Sequence, residues 1–234
     1  MARSKRAVWN PLTELLRHIV QGLIWVIGQV IYRYWFSLSY RGRENLPQAK
    51  PYLLAANHTS HLDGPAIIAA LGKHPANVCS LAAKDYFFNH PVKGWLCKTF
   101  LNMIPLERGE QAFTFKYLSE CHRISSRKKI ILIFPEGTRS LSGELQSFKP
   151  GLGLLASRLN VPIVPVYVHG TYYALPKGRR FPGRHPVYVA FGTPLDTAAY
   201  QARYESAHKR RLYREIADDV HAAVARLRDQ RMTH

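Results

Sequence analysis

The most regular pattern of apolar and polar positions lies near the start of the chain, from Leu12 to Phe36. Apolar residues recur there at helical spacing, and most of the polar residues fall on the opposite side. The apolar side consists of Leu12, Leu15, Leu16, Ile19, Leu23, Ile27, Val30, Ile31 and Tyr34. The uncharged interval between Arg17 and Arg33 is shorter than the roughly 20 residues that a spanning helix needs. The pattern therefore predicts an amphipathic helix that lies on a membrane surface.

Four aromatic residues support this placement, because tryptophan and tyrosine rings favour the headgroup region of a bilayer. They are Trp25, Tyr32, Tyr34 and Trp35. Two alternatives stay open at this point: a helix that packs its apolar side on the protein's own core, and a helix that spans the bilayer.

After Gly42 the pattern changes to strands that alternate with helices. The run Ile130 to Phe134 is apolar without interruption, which is typical of a strand covered on both faces. The predicted strands are Tyr52–Ala56, Val78–Ala82, Ile130–Phe134, Ile163–Val168 and Val187–Phe191, and the predicted helices are Pro65–Leu71, Glu110–Ser125, Gly153–Leu159 and Tyr204–Met232. This alternation predicts an α/β fold with a mainly parallel central sheet flanked by helices.

The domain organisation follows from the same pattern. Residues 1–40 form the membrane-associating helical segment, 41–200 a single α/β domain, and 201–234 a C-terminal helix that docks on that domain. The docking side of this last helix is an apolar stripe of Leu212, Ile216, Val220, Val224 and Leu227.

The chain is strongly basic: 33 Lys and Arg against 15 Asp and Glu give a net charge of +18. Such a surface attracts phosphate-rich partners, including nucleic acid, anionic lipid and acidic proteins. Part of the charge lies in the basic loop, Lys177–Arg184. No zinc-finger spacing or aromatic-interleaved RNA-binding motif accompanies it, so we expect no nucleic acid partner. The three cysteines, an odd number without a CxxC arrangement, indicate a reducing compartment.

The octapeptide NHTSHLDG, residues 57–64, follows the first predicted strand. His58 and Asp63 are five residues apart, which is too far for one helical face, so we place His58 in the loop and Asp63 at the start of the next helix. Asp63 can then cap the helix and turn back to His58. An aspartate bonded to one imidazole nitrogen leaves the other free as a general base.

Other interpretations of this octapeptide are weaker. His58, His61 and Asp63 do not match the ligand spacing of known zinc hydrolases, so we expect no metal site. Ser60 lacks the GxSxG surroundings of a nucleophile. Two loop histidines beside a helix-capping aspartate, with no catalytic role, remain an alternative.

A second motif, FPEGTRS at residues 134–140, follows the buried strand and therefore lies where open α/β sheets bind their ligands. Gly137 allows close backbone approach, Thr138 offers a hydroxyl, and Arg139 offers a planar fork suited to phosphate oxygens. The motif predicts an anion site.

These two motifs resemble the NHxSxxD and FPEGTRS blocks of the glycerolipid acyltransferase superfamily, which includes the 1-acylglycerol-3-phosphate acyltransferases. Two further stretches are similar to the second and fourth blocks of that family, in the family's order: Ala83–Lys84 to Gly109, and Val161–Val166. The resemblance covers roughly residues 50 to 170.

The resemblance implies transfer of a fatty acyl group from acyl-CoA or acyl-carrier protein to a glycerol hydroxyl, without a further cofactor. Carried over by position, His58 is the general base and Asp63 its orienting partner. The residues implied in substrate binding are Glu136, Gly137, Thr138 and Arg139 for the acceptor, Arg108 with Arg139 for its phosphate, Lys84 near the thioester, and Pro165 on the acyl-chain side. His61 is expected to support the site or face solvent.

We therefore predict a 1-acylglycerol-3-phosphate O-acyltransferase of phospholipid biosynthesis, monotopic or peripheral at the cytoplasmic face of a membrane, with a single-spanning form as the alternative. Lyso-ornithine lipid, glycerol 3-phosphate and lysophospholipids in remodelling are alternative acceptors. A non-catalytic basic protein that binds membranes or nucleic acid is the alternative from a different class.

Overall fold

The structure is a computed structural model that describes residues 11–49, 51–107, 115–202 and 209–232. Its centre is a sheet of seven strands, counted over those residues, in the order β1-β7-β6-β2-β5-β3-β4. The strands are β1 Ser39–Arg41, β2 Leu53–Ala56, β3 Val78–Ala83, β4 Met103–Leu106, β5 Ile130–Ile133, β6 Ile163–His169 and β7 Tyr188–Phe191. Neighbouring strands are parallel except for β6 and β7. The predicted α/β fold with a mainly parallel sheet is confirmed.

Helices connect the parallel strands, as crossovers between parallel strands require. The α-helices are α1 Pro11–Val30, α2 Asp63–Leu71, α3 Lys84–Phe87, α4 Pro91–Phe100, α5 Phe115–Ser126, α6 Gly151–Leu159, α7 Thr171–Ala174, α8 Thr197–Gln201 and α9 Lys209–Met232. A π-helical turn, Ile31–Trp35, continues α1. The first residues of the helices predicted from Glu110 and Tyr204 lie outside the described residues.

Two hydrophobic cores lie on opposite faces of the sheet. One is formed with α5, α6 and α9, and the apolar stripe predicted for the C-terminal helix is buried there from Leu212 to Val224. The other lies under α2 and the C-terminal end of α1, where Tyr32 and Phe36 are buried. All residues of β2 and β5 are buried, which explains why both strands read as continuous apolar runs.

Helix α1 turns its polar side toward the domain and its apolar side outward. Gln21 is fully buried and donates a hydrogen bond to the Thr99 carbonyl oxygen at 3.1 Å, and Gln29 donates to the Ala69 carbonyl oxygen at 3.2 Å. The exposed side chains are Leu12, Leu15, Leu16, Ile19, Leu23, Ile24, Val26, Ile27, Val30, Ile31, Tyr34 and Trp35. The alternative in which the apolar side packs on the protein's own core is therefore wrong.

The stretch Glu14–Trp35, 22 residues long, is also long and apolar enough to cross a membrane by length and composition. Only 11% of its most apolar part is buried inside the protein. The two glutamines that interrupt its apolar run contact α4 and α2, so this side of the helix lies along the domain. The exposed apolar side agrees with the interfacial arrangement.

Candidate active site

The two sequence motifs meet at the carboxyl edge of the sheet. The loop 57–62 joins β2 to α2, and the loop after β5 carries the second motif; β2 and β5 are adjacent and parallel. The Ser140 N–H donates to the His58 carbonyl oxygen at 2.8 Å and joins the two loops. The His58 ring stacks on Phe134, with 4.1 Å between ring centroids. The sheet thus places the two motifs in direct contact.

His58 and Asp63 form the hydrogen bond that their spacing predicts. His58 Nδ1 lies 2.8 Å from Asp63 Oδ2. Asp63 is fully buried and also accepts hydrogen bonds from the backbone N–H groups of Thr59 and Ser60, at 2.7 and 2.8 Å. The Thr171 hydroxyl donates to Asp63 Oδ1, a contact that no local sequence pattern predicts. These donors satisfy the hydrogen-bonding capacity of the buried carboxylate oxygens.

The predicted capping role of Asp63 is wrong. Asp63 is the first residue of α2, yet its carboxylate accepts from residues that precede it and not from the helix N–H groups. The Asp63 carboxylate instead organises the loop 57–62, here called the histidine loop, because the backbone N–H groups of Thr59 and Ser60 in that loop point at the carboxylate. A hydrogen bond donated by His58 Nδ1 leaves Nε2 with its lone pair, and no hydrogen bond within the described residues engages Nε2.

Glu136 is a buried residue of the second motif that contacts the backbone of the histidine loop. Its side chain is 3% exposed, and its Oε1 atom accepts from the His58 backbone N–H at 3.1 Å. Burial raises the pKa of Glu136 to about 8, although hydrogen bonds from the His58 and Gln146 N–H groups oppose the rise. The carboxyl group does not line the cavity described below, so the structure does not bring it to a bound acceptor as predicted.

The raised pKa of Glu136 predicts a pH-dependent stability. The folded protein keeps a proton that the unfolded chain releases above pH 4.5, so stability is lost as the pH rises toward about 8. We expect Glu136→Gln, which cannot ionise, to raise the melting temperature relative to the unmodified protein, by an amount that grows across this pH window. Thermal unfolding at a series of pH values measures it. Glu44→Gln, at an exposed position, is the control, and a pH-independent difference would contradict the prediction.

A cavity of about 420 Å³ opens beside His58. Its lining joins the second motif, through Gly137, Thr138 and Arg139, to the side of α1 that carries Trp25 and Gln29. Most of the wall is apolar and includes Ile24, Trp25, Ile68, Leu81, Phe100 and Met103. The arrangement combines one polar end, at the histidine, with an apolar interior, as ligand sites for amphiphiles require.

The polar end is positively charged. Arg139 and Lys177 both line the cavity, and no carboxylate of residues 11–49, 51–107, 115–202 or 209–232 forms an ion pair with either. The Arg139 guanidinium lies 5.9 Å from the centre of the Tyr86 ring. In the sequence, Lys177 is one of the cations of the basic loop, and nothing local distinguishes it from the others.

Of the other predicted residues, Lys84 and Pro165 do not line the cavity. Lys84 forms an exposed ion pair with Glu107 at 2.7 Å. Pro165 is in the middle of β6 and packs near Gly192 and Leu227 on the α9 side of the sheet, whereas the cavity lies on the other side. Arg108 lies outside the described residues.

Gly137 is at the cavity with φ of +76°, a conformation that favours glycine.

His61 lines the cavity but differs from His58 in its surroundings. Its ring stacks on Tyr86, with 4.9 Å between centroids, and its Nε2 lies 3.0 Å from the Tyr86 hydroxyl. Burial, with a contribution from Arg139, lowers the pKa of His61 to about 4. Such an imidazole is a weak base at neutral pH.

In the described part of the chain, no three His, Cys, Asp or Glu side chains are grouped to hold a metal ion.

Comparison with known proteins places this site in a family. The chain is 30% identical over 172 residues to the chloroplast 1-acyl-sn-glycerol-3-phosphate acyltransferase LPAT1 of Arabidopsis thaliana, covering 73% of this chain and 46% of that protein. It is 31% identical over 188 residues to the 1-acyl-sn-glycerol-3-phosphate acyltransferase of Limnanthes douglasii, covering 80% of this chain and 62% of that one. The match thus spans about half of the length of these relatives.

Among solved structures, the chain is similar to the 1-acyl-sn-glycerophosphate acyltransferase PlsC from Thermotoga maritima, with a TM-score of 0.68 and 27% identity over 92% of this chain and 83% of that one. The family model described as Acyltransferase matches residues 37–169, which include the histidine loop and the second motif. Because this match covers more than half of the chain, the protein belongs to the Acyltransferase family.

Proposed function

We propose that this protein transfers a fatty acyl group from an acyl thioester to the free hydroxyl of 1-acyl-sn-glycerol 3-phosphate. The observation that carries the proposal is the His58–Asp63 pair. Asp63 occupies one imidazole nitrogen of His58 and leaves the other free, and His58 lines a cavity with a cationic end and an apolar interior. The names of the relatives support the same acceptor.

In the proposed reaction, His58 Nε2 takes the proton of the acceptor hydroxyl as its oxygen attacks the thioester carbonyl carbon. The tetrahedral intermediate then collapses, the carbon–sulfur bond breaks, and the leaving thiolate takes the proton from the imidazolium. Asp63 stabilises that imidazolium and keeps the ring in the productive orientation. The acyl group passes directly between the two substrates, so neither an acyl-enzyme nor a cofactor is needed.

The cavity supplies the binding contacts for this reaction. Arg139 and Lys177 hold the acceptor phosphate at the polar end, with the Thr138 hydroxyl beside them. The apolar wall accommodates a fatty acyl chain, since burial of each methylene contributes about 0.8 kcal/mol. Acyl-CoA and acyl-carrier protein both present the required thioester, and we propose either one as the donor.

The membrane supplies the acceptor. We propose that residues 1–40 bind the cytoplasmic face of a membrane, that 41–200 perform the transfer, and that 201–234 support the fold. The exposed apolar side of α1 supports this division. A lysophospholipid that enters from the bilayer would then reach a cavity whose wall includes α1 itself.

The proposal is tested by incubating the purified protein with a panel of acceptors and with acyl-CoA or acyl-carrier protein, and reading the products by mass spectrometry. We expect the acylated product of 1-acyl-sn-glycerol 3-phosphate. Transfer only to lyso-ornithine lipid, glycerol 3-phosphate or another lysophospholipid would show that the acceptor is a different molecule from the one proposed. No transfer from any donor would favour a non-catalytic binding protein.

Arg139 is expected to act mainly in acceptor binding. Arg139→Ala should raise the KM for the lysophospholipid about tenfold or more with a smaller effect on kcat, because its phosphate contact is present in both the ground and the transition state. Initial rates over a range of acceptor concentrations measure this split. Arg158→Ala, at an exposed position on α6, is the matched control. If only the KM for the acyl donor changes, Arg139 binds the other substrate.

A further inference from the structure

The basic loop lies on the surface between α7 and β7. All of its residues except Gly183 are exposed, and its four cations, Lys177, Arg179, Arg180 and Arg184, are not offset by any acidic residue within the loop. Phe181, between these cations, is 72% exposed. The loop therefore presents an aromatic side chain and a cluster of positive charge together.

The arginines of this loop are available for an external partner. Within the part of the chain that the structure describes, no carboxylate pairs with Arg179, Arg180 or Arg184. The Arg180 guanidinium is 5.9 Å from the centre of the Phe181 ring. Aromatic rings and basic residues favour the headgroup layer, where the ring enters the apolar boundary and the cation meets phosphate.

The loop is anchored between α1 and the cavity. At its C-terminal side, the Val187 N–H donates to the Phe36 carbonyl oxygen at 2.9 Å, and the Ser39 N–H donates to the Val187 carbonyl oxygen at 3.0 Å. These bonds hold the residues that follow the loop beside the segment that leaves α1, where Tyr34 and Trp35 are exposed. At its N-terminal side, Lys177 lines the cavity.

We propose that the basic loop is a second membrane contact, which binds the anionic headgroups of a lipid surface and holds the cavity mouth against it. An acidic protein would satisfy the charges of the loop alone. A lipid surface satisfies both the charges and the adjacent apolar side of α1, so it fits the observed surface better. This role of the loop is separate from the proposed acyl transfer, and it makes binding of the protein to a membrane depend on anionic lipid.

The test measures binding of the full chain to vesicles of phosphatidylcholine, with and without phosphatidylglycerol, by flotation. Arg179→Glu with Arg180→Glu is compared with Arg127→Glu with Lys128→Glu, which changes the net charge equally at exposed positions before β5. We expect the loop variant to bind anionic vesicles about tenfold or more weakly, since each basic residue near such a surface contributes on the order of a fivefold change in partition. The control should stay within about twofold, and both should bind neutral vesicles as the unmodified protein does.

Two further measurements sharpen the result. Arg179→Gln with Arg180→Gln should give an intermediate loss, which keeps the test valid if the charge reversal disturbs folding. High salt should bring the unmodified protein toward the loop variant on anionic vesicles, because the contacts are exposed.

Equal losses in the two charge-reversed variants would overturn the proposal, because they would show an effect of net charge. Unchanged vesicle binding by the loop variant would overturn it as well. If that variant then transferred more slowly only from acyl-carrier protein, the loop would bind the acidic carrier. His58→Ala should bind vesicles normally, so failure of the proposed chemistry is distinguishable from failure of this inference.

Discussion

Replacement of His58 by alanine is expected to lower kcat by on the order of 10² to 10⁴, the usual contribution of a positioned general base. His58 provides the nitrogen that removes the acceptor proton, and His61 cannot replace it because its pKa is lowered to about 4 and its ring is held by Tyr86. Single-turnover rates of acyl transfer at saturating substrate measure the effect.

The His58→Ala variant is expected to fold. Asp63 keeps the backbone N–H groups of Thr59 and Ser60 and the Thr171 hydroxyl as partners, so no buried carboxylate is left without hydrogen bonds. His122→Ala, at an exposed position on α5, is the matched control and should transfer normally. Near-normal turnover by the His58 variant would eliminate the proposed mechanism, whereas loss of the folded state would make the activity comparison uninformative about proton transfer.

Replacement of Asp63 by asparagine is expected to affect both catalysis and stability. In the variant, the NH₂ group of asparagine would face N–H and O–H donors where the unmodified protein has a carboxylate oxygen. A neutral asparagine also cannot stabilise an imidazolium as the carboxylate does. We expect a fall in kcat on the order of 10² to 10⁴. Because at least one buried donor loses its acceptor, we also expect the free energy of unfolding to fall by about 1–3 kcal/mol.

Denaturant titration and initial rates on the same preparation separate the two effects. Asp218→Asn, whose side chain is 62% exposed, is the control and should change neither quantity appreciably. Thr171→Val tests the stability part alone, because it removes one donor to Asp63 and leaves His58 Nδ1 paired. A kcat for Asp63→Asn within a few-fold of the unmodified protein would show that Asp63 is not needed to orient His58.

The apolar pattern was sufficient to predict the buried centre of the fold. Strands β2, β5 and β6 are covered on both faces, so their sequences carry nearly continuous apolar runs that are readable without a structure. Strands β1 and β4 were missed because they lie at the two edges of the sheet and are only partly buried. Helix α4 was missed as well, since few of its residues are buried and its apolar spacing is weak.

Local spacing was likewise sufficient to pair His58 with Asp63, because both residues belong to one short connection between a strand and a helix. The sequence by itself therefore determined the fold class and the histidine–aspartate pair, and it placed each motif directly after a predicted strand. These features depend on the regular apolar pattern and on residues that are close together in the sequence.

Only the tertiary structure decided which groups surround that pair. Thr171 reaches Asp63 across 108 positions of sequence, Glu136 turns inward to the His58 backbone, and Lys177 arrives at the cavity from a distant loop. It also decided the orientation of α1, since an amphipathic pattern does not reveal which side meets the protein. Gln21 and Gln29 on its polar side donate to carbonyl groups of the domain, so that side meets the protein and the apolar side of α1 stays exposed.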